Sequence, residues 1–257
     1  MSISTEQILL LCMAAFAAGF IDAIVGGGGL IQTPATLVLL GSFPVVNAIG
    51  TTKIPSFSGT LLAAYQYMKK VQVNWRITVV MCVLAFFASF AGSELLTLVS
   101  NDFMKPVLFF ILLGVAVYTW IRKDFGQQQA SEIREEKEMI YAVMISTIIG
   151  FYDGFIGPGT GSFLILAMIY FLGFDFLHAS AHAKLVNLAT NIGSIMLFTF
   201  KGKIIWMAAL PMAVSNAIGG LLGARLAISK GNRLIRIFFM LIVLATLVRL
   251  GWDMLKK

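Results

Sequence analysis

Eight long apolar runs, near residues 7–25, 45–68, 77–99, 105–121, 139–156, 180–200, 204–224 and 235–250, take up most of this 257-residue chain. A helix needs roughly 20 apolar residues to cross the hydrocarbon core of a bilayer. Charged residues make up 12% of the chain and hydrophobic ones 59%, whereas an ordinary soluble domain carries about 25% charged residues. That leaves too little polar surface to coat a water-soluble globule of this size. A soluble enzyme, a nucleic-acid reader and a disordered protein are thereby excluded. The expectation is an all-α polytopic membrane protein with eight full-length spans.

Two shorter apolar stretches, 30–40 and 162–173, lie between the long runs. At 1.5 Å per residue each covers about half of the hydrocarbon core. Each is a half-helix near the midplane, a re-entrant segment or part of a broken span. The formal charge of +7 sits mostly in the connections, which suits cytoplasmic loops against anionic lipid and calls for no nucleic-acid partner. Met1 to Thr5 lack the basic residues of a signal peptide. Cys12 and Cys82 lie inside apolar runs, where cysteine behaves as a small hydrophobe.

Internal similarity organises the chain. Gly19-Phe20-Ile21-Asp22 matches Gly150-Phe151-Tyr152-Asp153 at an offset of 131 residues. At the same offset fall Gly26 and Gly157, Gly28 and Gly159, Lys53 and Lys184, Trp75 and Trp206, Gly92 and Gly223, and Asn101 and Asn232. The register slips by one where Gly41 meets Gly173 and then recovers. The expected organisation is a first transmembrane repeat over 1–121, a polar cytoplasmic linker over 122–138 and a second repeat over 139–257. If the short segments cross, each repeat has five crossings and the two are inverted. If they are re-entrant, each has four and the repeats are parallel. Inversion is favoured, because many transporters with midplane sites are built that way.

Several polar residues interrupt the apolar runs. Gly26, Gly27, Gly28 and Gly29 cannot make good helix, and they expose backbone groups that a membrane tolerates only beside protein or a wet cavity. Thr33-Pro34 has the form of an N-cap followed by proline at the first helical position. Gly157-Pro158-Gly159-Thr160-Gly161-Ser162 has the same role in the second half. Two helix N-termini and glycine-rich backbone around a cavity make an anion cradle, to which Gly157, Gly159, Thr160 and Ser162 contribute. The alternative is close helix packing through small residues.

Lys53, preceded by Thr51 and Thr52, and Lys184 both fall inside apolar runs. A lysine at the bilayer centre costs ~3 kcal/mol on insertion scales, and such residues usually line a polar interior and serve a function; snorkelling to an interface is the alternative. Lys184, Asn187 and Asn191 share a helical face at i, i+3, i+7; His182, two residues before the lysine, lies off that stripe but could cap or bind substrate at the helix head. Ammonium and amide donors gathered on one face suit an oxyanion. Asp22 and Asp153 are the intramembrane carboxylates. They could neutralise the lysines, bind a proton or hold glycine-loop amides. Glu94 and Arg225 are equivalent positions and could pair if their segments meet. Trp75 and Trp206 suit interfacial anchors. No metal-ligand spacing and no cofactor motif is apparent.

These stretches, together with Asn191-Ile192-Gly193 and Ser229-Lys230-Gly231, resemble the TauE/SafE family of sulfite and organosulfur anion permeases over nearly the whole chain. The resemblance implies a multipass bacterial plasma-membrane (inner-membrane) transporter with two homologous halves. It supports a secondary transporter of small anions, sulfur oxyanions or organosulfonates, working by alternating access. A passive anion channel would use the same residues. An intramembrane aspartyl protease would need a Gly-x-Gly-Asp context, which neither aspartate has, so no enzyme is expected. The partners expected are a small anion and the lipid bilayer; a homo-oligomer is compatible with the sequence.

Overall fold

A computed structural model describes residues 3–100 and 135–230. The runs at 105–121 and 235–250, the Asn101–Asn232 match and most of the 122–138 linker lie outside the described residues. Within them the chain is helical: α1 (Thr5–Val25), α2 (Gly29–Leu39), α3 (Val45–Met68) and α4 (Trp75–Leu98), then α5 (Glu135–Phe155), α6 (Thr160–Leu172), α7 (Phe176–Phe200) and α8 (Trp206–Lys230). Thr5–Val25, Trp75–Leu98, Phe176–Phe200 and Trp206–Ser229 are long and apolar enough to cross a membrane. Helix α3 has the length, but Asn47, Thr51, Thr52, Lys53 and Ser56 dilute its apolar character.

Local chemistry sets the ends. Ser4 and Gln7 form a reciprocal capping box at the start of α1. Asp175 caps α7, accepting from the Leu177 and His178 N–H groups at 2.8 and 3.0 Å. Burial opposes the charge on Asp175, but the His178 N–H and ring and the Leu177 N–H outweigh it and hold the carboxyl below its ordinary range. Trp75 and Trp206 are the exposed first residues of α4 and α8.

The short helices fold back. The Gln7 side chain, near the start of α1, donates to the carbonyl of Leu39, the last residue of α2. Tyr141, near the start of α5, has its ring 5.4 Å from that of Phe171, near the end of α6. Helices α1–α2 and α5–α6 are therefore antiparallel hairpins, and the short segments return to the face from which α1 and α5 set out.

Helix directions follow from contacts along the sequence. Phe16 lies against Gly219 and Phe20 against Gly223, so α1 and α8 are parallel. Thr51 bonds Ile205 and Ser58 bonds Ala213, so α3 runs with them. Gly150 abuts Ala85 and Gly154 abuts Ser89, so α4 and α5 are parallel. Asn74 bonds His182 and Ser89 bonds Thr190, which adds α7 to that set. Gly50 abuts Phe198, near the far end of α7, so α3 and α7 are antiparallel. Hence α1, α3 and α8 run one way while α4, α5 and α7 run the other. These pairs pack backbone to backbone: a Cβ on Gly92 would lie 2.1 Å from the Phe151 oxygen, and one on Gly223 2.2 Å from the Phe20 oxygen.

The outer surface is apolar. Val79, Val83 and Phe87 on α4, and Met207, Leu210, Val214, Ile218 and Leu222 on α8, are exposed stripes at helical spacing. Such faces belong against lipid. The polar residues are inside instead: Gln32, Thr36, Thr52, Lys53, Asp153, Lys184, Asn187 and Asn191 are buried.

Candidate functional site

Helix α1 ends because Gly26 takes a left-handed conformation, φ +77°. The chain turns back at once, and the Gly28 N–H donates to Asp22 Oδ1 at 3.3 Å. Helix α2 then begins at Gly29. The expected Thr33-Pro34 cap is not formed: Gly28 is already helical and its carbonyl accepts from Ile31 and Gln32. Thr33 is buried within the helix, and Pro34 removes only one bond from it. In the second half Gly157 and Gly159 make the turn, with φ of +88° and +83°.

The two glycine turns pack on each other. The Ser162 N–H donates to the Gly26 carbonyl at 3.0 Å, and Ser162 Oγ to the Val25 carbonyl at 2.9 Å. A Cβ on Gly26 would sit 2.2 Å from the Gly161 carbonyl carbon, so no side chain fits there.

Above this crossing lie the lysines, each held by an aspartate of the opposite half. Lys53 Nζ is 3.1 Å from Asp153 Oδ1, and Lys184 Nζ is 2.7 Å from Asp22 Oδ2. Each ammonium also donates to the backbone carbonyl of its aspartate. The Gly157 N–H reaches back to Tyr152, which leaves the Asp153 carbonyl to Lys53. With exposures of 4% and 1%, neither lysine snorkels. Charges this deep require pairing, because an isolated one would be neutralised or would destabilise the fold. The two pairs differ in one respect. Both Asp22 oxygens have partners, whereas Asp153 Oδ2 is buried and has no hydrogen-bond partner among the described residues.

A cavity lies between the pairs, walled by both halves. Of the residues singled out from the sequence, Asp22, Gly26, Gly29, Thr52, Lys53, Asp153, Gly157, Gly159, Thr160, Asn187 and Asn191 line it. Lys184 adjoins it through Asp22. Ser56 and Thr60, which the sequence reading does not single out, also line it. The 131-residue spacing of matching residues could have found them, since Lys53, Ser56 and Thr60 stand 131 residues before Lys184, Asn187 and Asn191. Thr33, Ile156 and Gly161 complete the wall.

Five of the expected residues lie elsewhere. Thr51 bonds the Asn47 carbonyl and accepts from the Ile205 N–H, so it serves the connection into α8. Ser162 and Gly28 are occupied in the glycine turns, and Gly27 lies behind them. His182 accepts from the Asn74 N–H at 3.1 Å through Nε2, while its Nδ1 pairs with the His178 carbonyl at 2.7 Å. Both ring nitrogens are thus occupied, Nε2 joining α7 to the start of α4 and Nδ1 lying against the preceding turn of α7 itself. Glu94 pairs with Lys201 at 2.8 Å rather than with Arg225, which is exposed on α8.

A second polar connection had no signal in the sequence. Gln32 of α2 donates to the Thr52 carbonyl at 2.9 Å and accepts from Asn216 of α8 at 2.7 Å. Asn216 fits only because Gly19 and Gly59 lack side chains: a Cβ on Gly59 would meet Asn216 Oδ1 at 1.9 Å.

Comparison with known proteins gives a consistent result. The family described as "Sulfite exporter TauE/SafE" matches residues 11–250. A "Probable membrane transporter protein" of a Sinorhizobium species is 34% identical over 95% of this chain and 92% of its own. One from Haemophilus influenzae is 35% identical over 92% and 91%. The "Probable membrane transporter protein YfcA" of Escherichia coli is 33% identical over 95% and 89%. No solved structure gives a significant match.

Proposed function

Because the chain belongs to the sulfite exporter TauE/SafE family of membrane transporters, and is thus a multipass bacterial membrane protein, we propose that it carries small anions across the inner membrane as a secondary transporter. Sulfur oxyanions and organosulfonates are the substrate class. The observation that carries this reading is the cavity flanked by two buried lysines, each fixed by an aspartate of the opposite half. Ammonium, hydroxyl and amide donors around one space match an oxyanion better than any other small solute.

The halves 1–121 and 139–257 are inverted repeats joined by the 122–138 linker. Support for this comes from the 131-residue offset and from the opposed directions of α1 and α5, α3 and α7, and α4 and α8. Alternating access then has a physical basis. An anion that takes an ammonium from its carboxylate loosens one of the two buried lysine–aspartate pairs that cross between the halves, so binding is coupled to their relative movement. The glycine turns, stacked without side chains, are the place where such movement meets least steric resistance. None of this requires a catalytic residue, and no enzymatic role is assigned.

A thermal-shift screen of purified protein tests the site, using sulfite, thiosulfate, sulfate, taurine and simple carboxylates. A ligand specific for the folded state raises the melting temperature with concentration. The reading predicts a shift with a sulfur anion that is lost in both Lys53→Ala and Lys184→Ala. A shift that persists in both variants would place the anion elsewhere.

A further inference from the structure

We propose that Asp153 is the proton-coupling group of this transporter, and that protonating it releases Lys53 to the anion; this rests on the anion reading above. The two ion pairs are equivalent in sequence but not in surroundings. Both Asp22 oxygens are engaged, with the Gly28 N–H on Oδ1 and Lys184 on Oδ2. Asp153 has Lys53 on Oδ1 and no hydrogen-bond partner on Oδ2 among the described residues, although that oxygen is buried. A buried carboxylate oxygen without a donor is an expensive arrangement. Asp153 lines the cavity, so a proton entering there reaches it.

The balance is simple. A proton binds Oδ2, the carboxyl becomes neutral, and Lys53 keeps its charge and its bond to the Asp153 backbone carbonyl. The wall of the cavity is then one positive charge in excess, which a monovalent anion cancels. The Lys184–Asp22 pair stays intact as a fixed donor set. One proton therefore accompanies each anion. A monovalent anion moves without net charge, and a divalent one carries a single negative charge.

The neighbours of Asp153 leave this role to it. From α3 comes Lys53. Across the cavity stand Lys184 of α7 and Asp22 of α1, paired with each other. Helix α7 also presents the amides of Asn187 and Asn191, while Thr160 and glycines come from the start of α6. Helix α4 brings the Ser89 backbone against Gly154 and the Ser93 hydroxyl onto the Gly154 carbonyl. Tyr152, the adjacent residue on α5, donates its hydroxyl to the Pro158 carbonyl at 2.6 Å.

Isothermal titration of the full chain with sulfate, thiosulfate and methanesulfonate tests the proposal, because each anion keeps one charge state between about pH 5.5 and pH 8. Heats in two buffers of different ionisation enthalpy report the protons taken up on binding. The wild type is expected to take up about one proton per anion wherever the free protein holds Asp153 as a carboxylate, with affinity falling by about tenfold per pH unit there. Asp153→Asn, which mimics the protonated carboxyl, should bind as tightly as the wild type at low pH, without pH slope or proton uptake. Anion binding by the wild type with no proton uptake overturns the coupling, whether or not the variant folds. A pH slope that survives in Asp153→Asn also overturns it. Failure of all three anions to bind at any pH overturns the anion reading, and the coupling falls with it.

Discussion

Lys53 and Lys184 are each bound to a carboxylate that lies 100 or 162 residues away in the sequence. Removing one member of such a pair leaves a buried charge uncompensated, at a cost of about 3–5 kcal/mol. Lys184→Ala and Asp22→Ala are each expected to lower stability by this amount in detergent unfolding. The double substitution should cost clearly less than the sum, because it leaves no orphan charge. Additive losses would show that the 2.7 Å contact carries no energetic coupling. The chemistry of these residues was legible in the sequence, since charge inside an apolar run demands an explanation. Neutralisation by the aspartates was one of three readings open there, but which aspartate meets which lysine was not legible, because spacing along one helix says nothing about which side chain of another half arrives opposite. His182 shows the same limit: its position near Lys184 suggested the cavity, yet its ring faces Asn74.

Helix ends and turns respond to different forces. Gly26→Ala should destabilise the protein severely, since the new Cβ combines a φ of +77° with an approach of 2.2 Å to Gly161. Gly202→Ala keeps the left-handed strain, φ +63°, but meets nothing within 4 Å, so a loss of about 1 kcal/mol is expected. Melting temperatures of the two variants check this contrast, and equal losses would refute it. At the head of α7, Asp175 is held below its ordinary value of 3.8. Its contribution is therefore full above about pH 4 and fades as pH falls through the depressed value. Asp175→Ala should cost about 1 kcal/mol at neutral pH, and the difference from wild type should shrink on acidification. A gap that widens instead would contradict the cap. The glycine runs marked the turns correctly. Thr33-Pro34 misled, because proline tolerates a place inside a helix whose first turn is already closed by Gly28.

For the molecule as a whole, the run lengths were enough to foresee a helical membrane protein with two short segments. Direction was beyond them, because a run of apolar residues reads the same from either end. Only contacts such as Phe20 with Gly223 and Gly154 with Ser89 orient the helices. They place Lys70 and Lys201, equivalent under the 131-residue offset, at opposite faces of the bundle. In a background without Cys12 and Cys82, Lys70→Cys should react with a membrane-impermeant maleimide only from the cytoplasmic side, and Lys201→Cys only from the outside. Labelling of both from one side would mean parallel halves.

Uptake of sulfur-labelled sulfite by proteoliposomes containing the purified chain tests most directly whether the two lysines hold a transported anion. Uptake should be saturable, accelerated by unlabelled sulfite on the opposite side and abolished in the Lys53→Ala, Lys184→Ala double variant. Uptake that is linear in concentration and indifferent to the opposite side would indicate a channel. Saturable uptake that survives without both lysines would contradict the site itself.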